Sequence, residues 1–263
     1  RTIDNPSIKL EASMQQAIFI VGTGRSGTHF TCRSIRGFTN TFDPLLGKEK
    51  GRHLRSIAKA AIHHRSYPKS AIEYYKSVLK SASSEAVFVD QHHPNLFFAH
   101  EITKLFHRPV FLYPDRPIHQ IVASMMNHDG VLNWYQYAKK NINRKILGDH
   151  IPIPNQFLGI FEAEDLANLP LHKLCALRVI GHRNRAKLLI KREIDLRFIN
   201  YEQLVEDQLA EFTRVFTNDE FTTLGKFHSV EVSQKKSLSK FKETLSDAQV
   251  DEITEIEQRF SAQ

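Results

Sequence analysis

Residues 22 to 30 read Gly-Thr-Gly-Arg-Ser-Gly-Thr-His-Phe. Glycines, a guanidinium and small hydroxyls packed this closely suit the binding of an oxyanion. Gly22, Gly24 and Gly27 permit a tight turn and a close approach of backbone to ligand. Where such a turn joins a strand to a helix, its N–H groups and the helix dipole point at the anion. Arg25 adds a forked cation suited to phosphate or sulfate oxygens, and Ser26 and Thr28 add hydroxyl donors. The competing reading is a turn that merely connects strand to helix.

Two familiar phosphate-binding patterns fail on detail. The nucleotide-triphosphatase loop needs G-x-x-x-x-G-K-[ST]. Gly22 and Gly27 have that spacing, but Thr28 stands where the lysine belongs and His29 where the magnesium-binding hydroxyl belongs. The dinucleotide pattern G-x-G-x-x-G is matched literally, yet it also wants an acidic residue at a strand end about 20 positions on. Asp43 lies there inside a Phe-Asp-Pro turn. Elsewhere, Arg116 and Ser124 are spaced by just over two helical turns, and Asp90, His92 and His93 cluster in one short segment. Pairing His63 and His64 with His92 and His93 makes a poor metal site, because adjacent histidines do not usually point at one ion and no cysteine or acidic group completes the set.

The elements that must position these groups follow from apolar patterning. Ala17 to Val21, Ala86 to Val89, Pro109 to Tyr113 and Leu196 to Asn200 are short apolar runs that predict buried parallel strands. Helices are predicted after Gly27 to about Gly37, over Leu96 to Phe106, Ile118 to Met126 and Leu171 to Lys191, and from Glu202, with Leu209, Phe212 and Phe216 on one face. Ile72, Tyr75 and Leu79 mark another helix within a stretch from 40 to 85 rich in Lys, Arg, His and Ser. Residues 141 to 170 contain Ile151-Pro-Ile-Pro154 and read as a loop or lid. Ser246 with Gln249 forms a capping-box pattern ahead of Val250, Ile253, Ile256 and Phe260. Strands alternating with helices predict an α/β fold around a mainly parallel sheet, organised as one domain.

Phe19 to Phe30, FIVGTGRSGTHF, resembles the 5′-phosphosulfate loop of sulfotransferases that use PAPS (3′-phosphoadenosine-5′-phosphosulfate), typically P-[KR]-S-G-T-T-x. Thr23-Gly24 replaces the usual Tyr-Pro or Cys-Pro, and His29 the second Thr. Arg116-Pro-Ile-His-Gln-Ile-Val-Ala-Ser124 is similar in register to the family's 3′-phosphate motif R-D-P-R-D-V-V-x-S, although Pro117 to Gln120 depart from it. Val87 to Leu96, VFVDQHHPNL, aligned on Pro94 with the family's K-T-H-L-P, matches His92 to the histidine that removes the acceptor proton and places Asp90 where the family has Lys. Phe198 to Asp207, FINYEQLVED, resembles the late segment Y-E-D-L-V-x-D-P. Lys235, Lys236 and the run from Lys240 to Ser246 resemble the closing basic segment. The resemblance runs from residue 19 to about 250. It is weakest near 40–85 and 127–195, where acceptor recognition is expected.

The resemblance implies a P-loop NTPase-like three-layer sandwich, with the central sheet flanked by helices. It implies a transferase that moves the sulfuryl group of PAPS to a hydroxyl or amine, releases PAP and needs no metal. Gly24, Arg25, Ser26, Gly27, Thr28, His29 and Phe30 would hold the 5′ side of the donor. Arg116 and Ser124 would hold the 3′-phosphate, with one or two of the late lysines, Lys235 and Lys236 among them. Tyr201 can face the adenine. Arg25 would stabilise the transferring group, and either His92, with an ordinary pKa near 6.5, or Asp90 would be the base. The acceptor, a small molecule or a glycan, is not named by the residues.

The bulk numbers are compatible with this reading. The 263 residues carry a formal net charge of +7, which favours anionic partners. Forty-one per cent are hydrophobic and no apolar run approaches a membrane span. Cys32 and Cys175 make no disulfide framework, so a reducing, cytoplasmic setting is the simplest expectation. Two alternatives follow from the same residues: a kinase-like nucleotide enzyme with a degenerate loop, and a non-catalytic basic protein binding nucleotide or nucleic acid. The first lacks the loop lysine, and the second lacks a recognition helix or aromatic platform.

Overall fold

The computed structural model describes residues 16–43, 48–81, 86–144, 148–231 and 238–261. Among the described residues five strands are formed: β1 (Ala17–Ile20), β2 (Thr41–Phe42), β3 (Val87–Gln91), β4 (Val110–Asp115) and β5 (Leu196–Asn200). They lie in the order β2-β3-β1-β4-β5, and every pair is parallel. β1 therefore sits at the centre, with Ile18 opposite Val89 on one side and Val110 on the other.

Strand alternation divides the core into two layers. Ala17 and Phe19 of β1 join Phe88, Phe111 and Tyr113 on one face of the sheet. Ile18 and Ile20 join Val87, Val89, Leu112 and Ile199 on the other. The first face is covered by α2 (Lys48–Ile62), α3 (Lys69–Ser81), α4 (Ala99–Ile102), α5 (Ile118–Met126), α6 (Asp129–Asn141), α7 (Ala163–Asn168) and α8 (Leu171–Lys191). The second face is covered by α1 (Thr28–Ile35), α9 (Tyr201–Glu206), α10 (Gln208–Val215) and α11 (Asn218–Leu224). The last two helices, α12 (Phe241–Thr244) and α13 (Asp247–Ser261), return to the first face. The result is the predicted α/β three-layer sandwich.

Local chemistry explains the element ends. The Ser246–Gln249 capping box forms: the Ser246 N–H donates to Gln249 Oε1 at 3.0 Å, and the Gln249 N–H donates to Ser246 Oγ at 3.3 Å. Behind it, Ile253 of α13 is fully buried, with Val250, Ile256 and Phe260 packed partly against the core. Pro117 precedes α5 and supplies its start.

Three expectations are corrected. The helix predicted from Glu202 is two helices, because Asp207 leaves helical geometry and caps α10 by accepting the Ala210 N–H at 3.0 Å. The break turns Leu209 outward, where it is 48% exposed, while Phe212 and Phe216 stay inside. Leu96 to Phe106 is a 3-10 helix (His93–Phe98) followed by the short α4, not one helix. Within the expected loop from 141 to 170, Glu162 and Asp165 form a capping box that starts α7. Residues 129–141, for which no element is predicted, form α6.

A candidate nucleotide and transfer site

In a parallel sheet, ligands bind beyond the carboxyl ends of the strands, at the point where the chain's connections reverse direction. Here that point is the end of β1, flanked by β3 and β4. A cavity of about 560 Å³ opens there. Its walls include segments that follow β1, β3, β4 and β5, together with residues of α6, α8 and the start of α12.

The loop after β1 has the geometry of an anion cradle. Gly22 has φ +141° and Gly27 φ +101°, both unfavourable for residues with a side chain. Arg25 also adopts positive φ, at 76°. Backbone strain of this kind is held in place by its surroundings and clusters at functional loops. Gly27 is the N-cap of α1, and the Thr31 N–H donates to its carbonyl at 3.0 Å. A Cβ at Gly27 would lie 2.1 Å from the Tyr201 ring, so the glycine also allows the β5–α9 junction to close on the loop. Gly27→Ala is expected to destabilise the fold by roughly 1–3 kcal/mol. Urea unfolding checks this, and a stability equal to the parent would refute it.

Two of the loop hydroxyls take different roles. Thr28 lines the cavity and accepts from Gln91 Nε2 at 3.0 Å, which leaves its hydroxyl hydrogen for a ligand oxygen. Ser26 does not line the cavity; its side chain is fully buried and its Oγ has no hydrogen-bond partner. The expected Ser26 hydroxyl donor is therefore turned inward by the same turn whose Ser26 N–H donates to Thr23 O at 3.1 Å. Gly24, Arg25, His29 and Phe30 also line the cavity.

The predicted second anion site folds onto the first. Arg25 Nε donates to Ser124 Oγ on α5 at 3.1 Å. Arg116, only 7% exposed, donates through Nη1 to Arg25 O at 3.4 Å and through Nε to Gln120 Oε1 at 2.9 Å. Gln120 in turn donates to Glu202 Oε1 at 2.9 Å. The Arg116 guanidinium lies 4.9 Å from the Tyr201 ring centroid, a cation–π distance. Arg25, Arg116, Ser124 and Tyr201 thus meet in one wall. Lys235 and Lys236 lie outside the described residues, but Lys240 of the same basic run reaches the cavity.

The two side chains expected to act as base, His92 and Asp90, lie behind the cavity wall. Asp90 is fully buried and accepts from Tyr75 Oη at 2.7 Å, with Asn95 Nδ2 at 3.4 Å. His92 is 1% exposed, its Nδ1 3.9 Å from Asp90 Oδ2. Neither lines the cavity, whereas His93 does. The chain turns from β3 into the 3-10 helix at His92, and the turn presents the following residue to the loop. His93 Nε2 would lie 3.4 Å from a Cβ at Gly24, and the Gly22 N–H donates to His93 O at 3.4 Å. Alignment on Pro94 misses this by one residue. His128, Trp134 and Arg178 also line the cavity without having been singled out.

Two neighbouring imidazoles, His93 of the cavity and His182, are held below the usual histidine range. Burial, and then the Arg178 charge, holds His93 well below the usual histidine range. Burial and the same arginine push His182 down to about 3. Both groups bind protons more readily in the unfolded chain. Their contribution to stability is therefore complete above about 6.5 and is lost as pH falls from there toward the folded values. Thermal melts from pH 8 to pH 5 should show the melting temperature dropping below about pH 6.5, and His182→Asn should flatten that slope. A slope unchanged in the variant would contradict the assignment.

Comparison with known proteins agrees with this architecture. No protein-family model matches the chain, and no curated protein matches it. Among solved structures, a sulfotransferase from Alicyclobacillus acidocaldarius superposes with a TM-score of 0.51 at 13% identity, over 93% of this chain and 94% of that one. The chain has the sulfotransferase fold. The sulfotransferase domain of the Synechococcus PCC 7002 olefin synthase aligns over 99% of this chain and 98% of its own, at 11% identity and a TM-score of 0.49. Among the described residues no group of three or more His, Cys, Asp or Glu is placed to hold a metal, and no helix is long and apolar enough to cross a membrane.

Proposed function

We propose that this chain transfers the sulfuryl group of PAPS to a hydroxyl or amine of an acceptor and releases PAP. The observation that carries the reading is the joining of two anion-binding clusters in one cavity. The loop from Gly24 to Phe30 forms one, Arg116 and Ser124 the other, and the Arg25–Ser124 hydrogen bond connects them. A nucleotide phosphorylated on both sides of its ribose satisfies both clusters, whereas ATP carries charge on one side only.

The roles follow from position. The Gly27 turn, the N-terminus of α1 and the Thr28 hydroxyl hold the 5′ oxyanions. Arg116, fixed by Gln120 and Tyr201, and Ser124 hold the 3′-phosphate, with Lys240 nearby. His93 takes the acceptor proton as the new O–S or N–S bond forms. The S–O bond to the 5′-phosphate breaks in line, and Arg25 with the loop amides takes up the charge left on the released oxygen. Neutral imidazole is the form that accepts a proton.

Isothermal calorimetry decides the donor. PAP should bind tightly without magnesium and ATP with magnesium weakly or not at all. Binding of ATP but not PAP would favour the kinase-like alternative and overturn the proposal.

A further inference from the structure

Arg178 is a cation that the donor reading does not use. It lies mid-way along α8, is 2% exposed, and lines the cavity. Its Nε and Nη1 have no hydrogen-bond partner. Its guanidinium carbon lies 5.0 Å from the Phe157 ring centroid, and the groups that favour its charge are Tyr135 and Cys175 rather than a carboxylate. A lone buried cation is costly, and a cation–π contact recovers only part of that cost. Burial, and then the charge of Arg178 itself, disfavours protonation of the neighbouring His93 and His182.

Its place in the cavity separates it from the donor phosphates. Arg116 has Tyr201, Arg25 and Glu202 as its electrostatic neighbours, none of them shared with Arg178. Arg178 instead adjoins the candidate base, for the His93 ring stacks on the same Phe157 at 6.4 Å. Val131 and Trp134 of α6 line the cavity too and give it an apolar wall.

We infer that Arg178 recognises an oxyanion, carboxylate or sulfate, on the acceptor whose hydroxyl or amine faces His93. The substrate class is then an anionic acceptor with an apolar body. This inference rests on the proposed sulfuryl-transfer reading for its geometry around His93. An anion supplied by the acceptor gives the guanidinium a charged partner and relieves the buried charge.

Calorimetry on the PAP-saturated protein, with 4-hydroxyphenylacetate and its neutral amide as probes, tests it. The parent should bind the carboxylate at least about tenfold more tightly than the amide, the 1.4 kcal/mol that a charge-assisted hydrogen bond readily supplies. R178M should abolish that preference while leaving PAP affinity within about twofold, since the donor contacts lie elsewhere. R178K, which keeps the charge but not the fork, should retain part of the preference and carries the test if R178M does not fold. Equal binding of the two probes by the parent, no binding of either, or a preference that survives in R178M would each overturn the inference. If PAP fails to bind the parent, the donor reading falls, and the probe comparison on the nucleotide-free protein still decides the role of Arg178.

Discussion

Arg116→Ala should weaken PAP binding by about 100-fold or more, because removing one partner of a buried charge pair costs about 2–5 kcal/mol. The guanidinium is already oriented by Gln120 at 2.9 Å and stacked against Tyr201. Little entropy is lost when a phosphate arrives, so most of the charge-assisted energy appears as affinity. Arg116→Lys should recover only part of it, since a single ammonium cannot contact Gln120, the Arg25 carbonyl and a phosphate in one fork. Calorimetry on the two variants reads the effect directly. An alanine variant with parental affinity would remove Arg116 from the donor site.

His93→Ala should lower kcat by roughly 10²–10⁴-fold, the range for loss of a general base, while PAP affinity changes little. The split matters because a merely structural histidine would disturb both. His92→Ala should behave differently. It opens a gap beside Asp90 in the buried Tyr75–Asp90–Asn95 network, so its first effect should be on stability. Transfer of label from PAPS to a competent acceptor, combined with PAP calorimetry, distinguishes the two. Full turnover in His93→Ala with lost turnover in a folded His92→Ala would return the base to His92.

Much of this arrangement is legible in the residues. Ile118–Met126, Leu171–Lys191 and Leu196–Asn200 begin and end where proline, charge and apolar runs place them. Arg116 lies between β4 and α5 and Ser124 on α5, eight residues on, so a short local segment is enough to pair them. What escaped notice depends on contacts between distant segments. His93 rather than His92 faces the loop because the backbone changes from strand to 3-10 helix between them, and a pattern anchored on Pro94 does not register that rotation. Arg178 stands among Leu, Cys, Ala, Val and Ile of a helix buried on nearly every side, and only the tertiary fold reveals that one part of that helix meets a cavity. Ser26 belongs to the anion motif by type, yet the strained turn around Arg25 points it inward.

Because the sheet is parallel throughout, β1 cannot pair with what immediately follows it. Phe19 meets Asp90 and Phe111, which leave the ribosome about seventy and ninety residues later. Long-range closure must precede any ladder, a slow step in which an apolar strand waits uncovered. The cavity inherits this delay, for Tyr201 joins its wall only after β5 has docked beside β4, and Lys240 and Phe241 follow later in the chain. Nascent chains stopped before Tyr201 should therefore require chaperone protection and fail to capture nucleotide. Acquisition of PAP binding during synthesis would time the closing of that wall.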